Sequence, residues 1–242
     1  MFLRRKNGSI LDNKCRAVRR TISDKEATVN DLASRALRPS RKPAPRPAWS
    51  VTGTEPFTAR DRIISAASTL FCNDGFTATG VDAVIARAGT AKATLYNHFP
   101  SKAALIVAVL EAEGKAWRYW FFDRLAMLEQ TPRARLLGAF DILYDWFADP
   151  YFYGCPFLKA ASEFNSGHSD VHGSAAYHKR QITEWLKADL AEIGIDDVDQ
   201  ATRGFVVLID GAIIAAQSSG DPAFALNSKQ LAKACILKQC GE

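Results

Sequence analysis

The sequence predicts an all-α protein in which a small helix-turn-helix domain precedes a larger helical domain. Three observations predict it. Apolar residues recur at spacings of three and four through most of residues 58–238, the period of a helix with one buried face. Capping residues stand ahead of these runs (Thr58, Thr79, Ser101, Thr131) and breakers stand behind them (Gly75, Gly89, Pro100), as helix ends require. Strand alternation and internal repeats are absent.

Of the 242 residues, 48% are hydrophobic and 24% charged, enough for one sizeable core or two small ones. The apolar stretch 205–216 is broken by Asp210 and falls short of a bilayer span of roughly 20 residues. The opening MFLRRKNGSI has charges but no apolar run behind them, so no secretory signal is read there. Five cysteines form no CxxC pair and fit reduced thiols better than a disulfide framework. A cytoplasmic protein without a membrane partner is the expectation.

Charge divides the chain into three. Residues 1–57 hold 13 Lys/Arg and 5 Asp/Glu, residues 58–105 hold 5 and 3, and residues 106–242 hold 13 and 18. The net values are +8, +2 and −5, and the same divisions are the expected boundaries of tail, head and body. A basic end on a mildly acidic body points to an anionic partner there. The tail lacks periodicity, and its Pro39–Pro47 stretch reads as a polyproline-like linker, with a short marginal helix expected over 24–37. It is a basic arm for nucleic acid or an unstructured leader. Met occurs only at 1 and 127, so a start at a Val codon, Val51, is a third alternative for part of it.

In the head, Thr58-Ala-Arg-Asp61 has capping-box spacing, and Ile63, Ile64, Ala67, Leu70 and Phe71 follow on one face. Gly75 stops this helix and Phe76 supplies an anchor. Thr79-Gly-Val-Asp82 opens a second helix that closes at Ala88-Gly89. The third, Lys92 to Phe99, ends at Pro100, and Ser101 caps a fourth. Two short helices joined by a three-to-four-residue turn containing Gly form a helix-turn-helix pattern. The second of them carries Lys92, Thr94, Tyr96, Asn97 and His98, side chains suited to phosphates and base edges. Leu95 and Phe99 pin the opposite face, and small Ala93 permits close approach. A solvated polar face on a small bundle is the alternative reading.

Residues 59–105 resemble the DNA-binding domain of TetR-type (tetracycline-repressor-like) transcriptional regulators. The resemblance rests on Ala67…Leu70-Phe71…Gly75-Phe76, Thr79-Gly-Val…Ala88-Gly89 and Lys92-Ala-Thr-Leu-Tyr-Asn-His-Phe-Pro-Ser-Lys102…Leu105. It covers about a fifth of the chain, and its last block is the most specific. It implies that Thr79, Lys92, Ala93, Tyr96, Asn97, His98 and Lys102 touch double-stranded DNA. Thr79 and Tyr96 would hold phosphates, Lys92 and Asn97 would approach base edges or phosphates, and His98 would bind backbone. Lys102 would add its charge beside a phosphate at the start of the fourth helix. The chain departs from the family's pattern at Gly80, Thr90 and Ala91. Ala91 removes a hydroxyl and a cap, which leaves Thr90 to cap the third helix.

The rest reads as helices: Ser101 to about Glu129, with a bend expected near Gly114; Thr131-Pro132 onward, as cap and first residue; Cys155 to Phe164; Ser174 to Ile193; Asp197 to Gln217; and Pro222 to Lys238. The resemblance implies an effector-sensing and dimerisation domain, with the last two long helices pairing with a second copy, and a repressor as the usual sense. Gly204, Gly211, Ala212, Ala215 and Ala216 are small enough for close helix contact there, or for packing within the chain. The segment from Gly154 to Phe164 resembles a motif found in a subset of these regulators. The candidate effector residues are Trp117, Trp120, Phe121, Phe140, Tyr144, Phe147 and Trp185, joined by Cys155, His178 and Asp210. Phe157 belongs to the same aromatic set. Such aromatics serve as core or as pocket lining, and a small, largely apolar or aromatic effector is expected.

Other readings use the same residues. Glu163, His168, His172, His178 and Asp210 contain metal-ligand types without a ligand spacing, and no metal or cofactor is expected. Cys155, His178 and Asp210 match the residue types of a Cys-His-Asp hydrolase without a nucleophile elbow, so no enzyme is expected. Cys155 as an electrophile or redox sensor, and a helical interaction protein without DNA binding, complete the alternatives.

Overall fold

The computed structural model describes residues 58–128, 131–164 and 169–239. The basic tail, its expected helix over 24–37 and its Pro-rich stretch lie outside the described residues. Within them the chain forms α1 (Ala59–Asp74), α2 (Val81–Ala88), α3 (Lys92–His98), α4 (Lys102–Ala126), α5 (Pro132–Ala148), α6 (Pro156–Glu163), α7 (Ser169–Ile193), α8 (Val198–Ser219) and α9 (Ala223–Gln239). No strand occurs among the described residues.

The head is built from α1 to α3 against the first turns of α4. The Thr58 capping box forms: Asp61 N donates to Thr58 Oγ1 at 3.2 Å, and Thr58 N donates to the Asp61 carboxylate at 3.1 Å. These Thr58 bonds hold the Asp61 carboxyl below its ordinary range. Ile63, Phe71, Phe76, Val84, Leu95 and Phe99 are buried together, with the Arg60 guanidinium 5.5 Å from the Phe99 ring centroid. Two expected caps are absent. Gly80 and Ala91 occupy the N-cap positions of α2 and α3, and neither helix has a side-chain cap bond. The Thr79 hydroxyl donates backwards to the Gly75 carbonyl at 2.7 Å, an oxygen that also accepts from Thr79 N at 3.3 Å.

α4 crosses the expected boundary at 105/106 without interruption. Leu105, Ile106, Val109 and Leu110 are buried in its first part, and Trp117, Phe121 and Leu125 in its second. Ser101 Oγ caps it, accepting from Ala104 N at 3.0 Å. Thr131 caps α5 in the same way, with Pro132 in the first turn. In the body, α7 packs against α4, α5, α6 and α8, and α9 packs against α5 and α8. Arg135 on α5 forks onto Asp189 of α7, with its closest approach at 2.6 Å. Lys229 on α9 meets Asp141 of α5 at 2.5 Å.

Two body elements differ from the sequence reading. α7 begins at Ser169, five residues before the expected Ser174, through a Gly/Ser-containing stretch of low helix propensity. Val171, Ala175, His178, Ile182 and Leu186 are buried at helical spacing, so packing along one face overrides propensity. α8 has 22 residues and is long and apolar enough to cross a membrane by composition, whereas the stretch 205–216 alone is not. Part of its apolar content faces inward: Phe205, Ile209, Ala212, Ile213 and Ala216 are buried against neighbouring helices.

Candidate functional site

Two sites are assembled, one on the surface of the head and one inside the body. On the head, α3 turns Leu95 and Phe99 into the core and leaves Lys92, Ala93, Tyr96, Asn97 and His98 exposed on one face. Lys92 Nζ lies 3.5 Å from the Asp82 carboxylate of α2, and both side chains are well exposed. An exposed pair of this kind is weak, so an incoming phosphate can take the ammonium. The other two predicted contacts lie differently. Thr79, expected to hold a phosphate, is buried, and its hydroxyl donates to the Gly75 carbonyl. Lys102 Nζ donates to the Thr77 carbonyl at 3.2 Å, where it closes the turn between α1 and α2.

Inside the body lies a cavity of about 40 Å³. Its wall is drawn from six helices and one loop: Cys72, Glu113, Trp117, Trp146, Tyr153 to Phe157, His178, Lys179, Ile182, Ile209, Asp210 and Ile213. Of the predicted effector residues, Trp117, Cys155, His178 and Asp210 meet here. The other six expected effector residues do not line it. Phe121 and Phe140 are core side chains, Phe121 stacked behind Trp117 at 4.6 Å and Phe140 on Phe205 at 6.3 Å. Trp185 sits edge-on to Phe121, and Phe147 packs on Phe152. Trp120 lies under the Arg124 guanidinium. Tyr144 lines a separate surface cleft with Asp141 and Leu226.

The polar part of the wall is tightly arranged. The His178 ring lies flat on Phe157, with centroids 3.8 Å apart and planes 3° apart. Arg118 Nη1 is 3.1 Å from His178 Nδ1. Gly114 makes room for this stack, since a Cβ there would stand 2.7 Å from Phe157 Cζ and 2.8 Å from Arg118 Nη1. Burial, then the charges of Arg118 and Lys179, push the His178 pKa down to about 3, so the ring is neutral at ordinary pH. Lys179 is paired with Asp210, and Glu113 accepts from the Ser68 hydroxyl. Burial raises the Cys155 thiol and pushes that of Cys72 up to about 12.

These partners decide between the alternative chemistries. Cys155, His178 and Asp210 share one cavity, but His178 Nδ1 faces Arg118 and Asp210 is held by Lys179. The thiol, kept protonated, is a poor nucleophile. Glu163, exposed His172 and buried His178 are scattered, and no group of three or more His, Cys, Asp or Glu among the described residues is placed to hold a metal. His168 lies outside the described residues.

Sequence reasoning gave the helix Cys155 to Phe164 but not its role in joining the two sites. The first residues of α6 line the cavity, and its later residues bond the head. Lys159 Nζ donates to the Cys72 carbonyl at 2.5 Å, and the Glu163 carboxylate accepts from Phe76 N at 3.2 Å and Thr77 N at 2.6 Å. Upstream, Gly154 has φ +82°, and an added Cβ would overlap the Gln217 amide of α8, so only glycine fits. The run from Gly154 to Phe164 held the signal: a turn residue, an aromatic for the cavity, and Lys and Glu four apart facing the head.

Fold and sites together define a helix-turn-helix protein with an all-helical body that encloses a cavity. Residues 63–109 match the family model for bacterial regulatory proteins of the tetR family. The structure resembles the TetR-family transcriptional regulator SCO4454 of Streptomyces coelicolor, with TM-score 0.69 and 27% identity over 75% of this chain and 95% of that one. Residues 63–109 thus carry the helix-turn-helix segment of the tetR family, and the structure as a whole resembles TetR-family regulators. Among curated relatives, the HTH-type transcriptional repressor KstR2 of Mycolicibacterium smegmatis is 32% identical over 92 residues, and the HTH-type transcriptional activator FasR of the same organism is 44% identical over 52. The matches cover 37% and 22% of this chain, and span 43% and 24% of those relatives' own lengths.

Proposed function

We propose that this protein is a ligand-responsive, sequence-specific DNA-binding transcriptional regulator that acts in the cytoplasm as a homodimer. In this reading it is a repressor, released from a pseudo-palindromic operator when a small effector enters the cavity. The single observation that carries the reading is the placement of α6. An effector that displaces Pro156 and Phe157 acts on an eight-residue helix whose Lys159 and Glu163 grip the end of α1 and the turn that follows it in the head. The long α4 offers a second connection, since it carries Trp117 in the wall and Leu105 in the head core. An effector shifts operator affinity only through its different affinities for the two arrangements. The cavity chemistry supports binding of the effector rather than its turnover.

Dimerisation is supported by an apolar strip on α8 and α9. Val207 is 69% exposed, Ile214 51% and Leu231 57%, and an added Cβ at Gly204 or Gly211 would meet nothing. Ala212 and Ala216, expected at this face, are buried within the protomer, so a charge at Ala212 would damage its own core. The test therefore moves to the Val207→Glu, Ile214→Glu double variant. Two recognition helices reach two half-sites about one helical turn apart, so the monomeric variant should lose about 100-fold in operator affinity, about 2.7 kcal/mol. Sedimentation and mobility shifts on the DNA upstream of its own gene read both effects. A monomeric wild type that binds one half-site overturns the dimer.

A further inference from the structure

The cavity wall shows an imbalance between donors and acceptors, and it deepens the regulator reading on which it rests. Trp117 lines the cavity, and its buried Nε1–H has no hydrogen-bond partner. Its polar neighbours in the wall have theirs: Lys179 with Asp210, Glu113 with Ser68, and His178 Nδ1 with Arg118. A guanidinium has only donors, so Nδ1 must accept, and the proton of the neutral ring sits on Nε2. The wall thus holds three indole or imidazole side chains, Trp117, Trp146 and His178, and the Trp117 N–H is the buried one without an acceptor. A buried polar group without a partner is costly, and a ligand that supplies the missing lone pair recovers that cost.

We infer that the effector is a flat, largely apolar molecule that presents an uncharged acceptor oxygen, of carbonyl type, to Trp117 Nε1–H, with its plane against the wall's aromatic rings. Flatness follows from the surroundings, because Trp117, Trp146 and the Phe157–His178 stack offer ring faces and edges. Neutrality follows from the charges. Glu113 and Asp210 outnumber Lys179 among the charged side chains of the wall, so a carboxylate would enter against net negative charge. An ammonium has no lone pair for the indole. The two carboxylates that could attract it are already bonded. Size gives the remaining constraint. The cavity of about 40 Å³ exceeds what one water needs but is far below the roughly 300 Å³ and more of ordinary ligand pockets. The effector must therefore part the walls as it enters, and α6 is one of them.

A matched set of single-ring probes tests this: acetophenone, ethylbenzene, benzoate and benzyltrimethylammonium. The full-length protein labelled with ¹⁵N gives one indole N–H signal per tryptophan, five in all, and Trp117→Phe assigns the one that matters. Acetophenone should move the Trp117 signal downfield and bind about tenfold more tightly than ethylbenzene, and Trp117→Phe should erase that advantage. If that variant fails to fold, replacing the other four tryptophans by Phe one at a time assigns the Trp117 signal by elimination, and its shift decides. Equal or tighter binding of ethylbenzene overturns the inference, as does a lead for benzoate or the ammonium, an unmoved indole, or no binding by any probe. Mobility shifts on the same preparation separate the two levels. Operator binding with no indole response sinks the ligand class alone, whereas an indole response without DNA binding sinks the regulator reading alone.

Discussion

The head and the cavity use polar side chains in opposite ways. On α3 the functional groups project into solvent from a seven-residue helix whose only anchors are Leu95 and Phe99. They cost the fold little and are free to meet a partner. In the cavity the polar groups are buried or half-buried and nearly all are paired, so each is tied to the stability of the body. Binding and folding are therefore separable in the head and entangled in the cavity, and substitutions in the two regions should behave differently.

The largest effect should come from breaking the head's anchor rather than its face. Leu95 is fully buried, so Leu95→Ala should cost about 2–5 kcal/mol through lost burial and a residual cavity. Thermal melts should show it, with DNA binding lost as the head loosens. A loss below about 1 kcal/mol would mean that α3 is held by something other than its core face.

Next is the pH response of the cavity. The folded-state pKa of His178, about 3, lies below its ordinary value near 6.5, so the unfolded chain takes up the proton first as pH falls. Its contribution is fully present above pH 6.5 and is lost progressively between 6.5 and 3. From pH 7 to pH 5 it should remove about 2 kcal/mol of stability. Denaturant melts of His178→Gln should show a flatter dependence over that window. Parallel curves for variant and wild type would place the His178 imidazole in contact with water.

The recognition face should respond more mildly and without loss of fold. Lys92→Ala should weaken operator binding about tenfold and flatten the salt dependence by about one phosphate equivalent, with an unchanged melting temperature. Tyr96→Phe should do less, by loss of one hydroxyl contact. Unchanged affinity in both variants at matched salt would mean that α3 does not face DNA. The smallest effect belongs to the clamp. Glu163→Gln should weaken the charge-assisted bonds to Phe76 N and Thr77 N by about 0.5–1.5 kcal/mol, visible as faster hydrogen exchange at those two amides. If exchange there is unaltered, the clamp contributes nothing to the turn.

The same contrast explains what the sequence made legible. The head could be read because its information is local: a capping box, two turns, and a polar face opposite Leu95 and Phe99 all fall within fifty residues. The cavity could not, because its wall gathers residues from Cys72 to Ile213. Helical periodicity says that Phe121 and Phe140 face inward, but only the packing of neighbouring helices decides where a gap remains. Trp117 borders that gap, while Phe121, one turn further along the same helix, fills space behind it. Thr79 and Thr90 failed as caps for a different reason. Capping spacing names the residues able to cap, but the Gly75 carbonyl competed for the Thr79 hydroxyl and won.

The passage of α4 through the boundary between head and body bears on how such a protein can be taken apart. Its first two turns complete the head, and its later turns carry Glu113, which reaches back to Ser68 on α1, and Trp117 in the cavity wall. A cut at residue 105 would strip the head of Val109 and Leu110 and leave an apolar stump on each fragment. Recombination or engineering that exchanges DNA specificity between regulators would have to carry α4 at least as far as Glu113, together with α6 as its matched contact. The reading head is thus not a detachable part, and a new operator preference is more readily reached by changing the exposed residues of α3 in place.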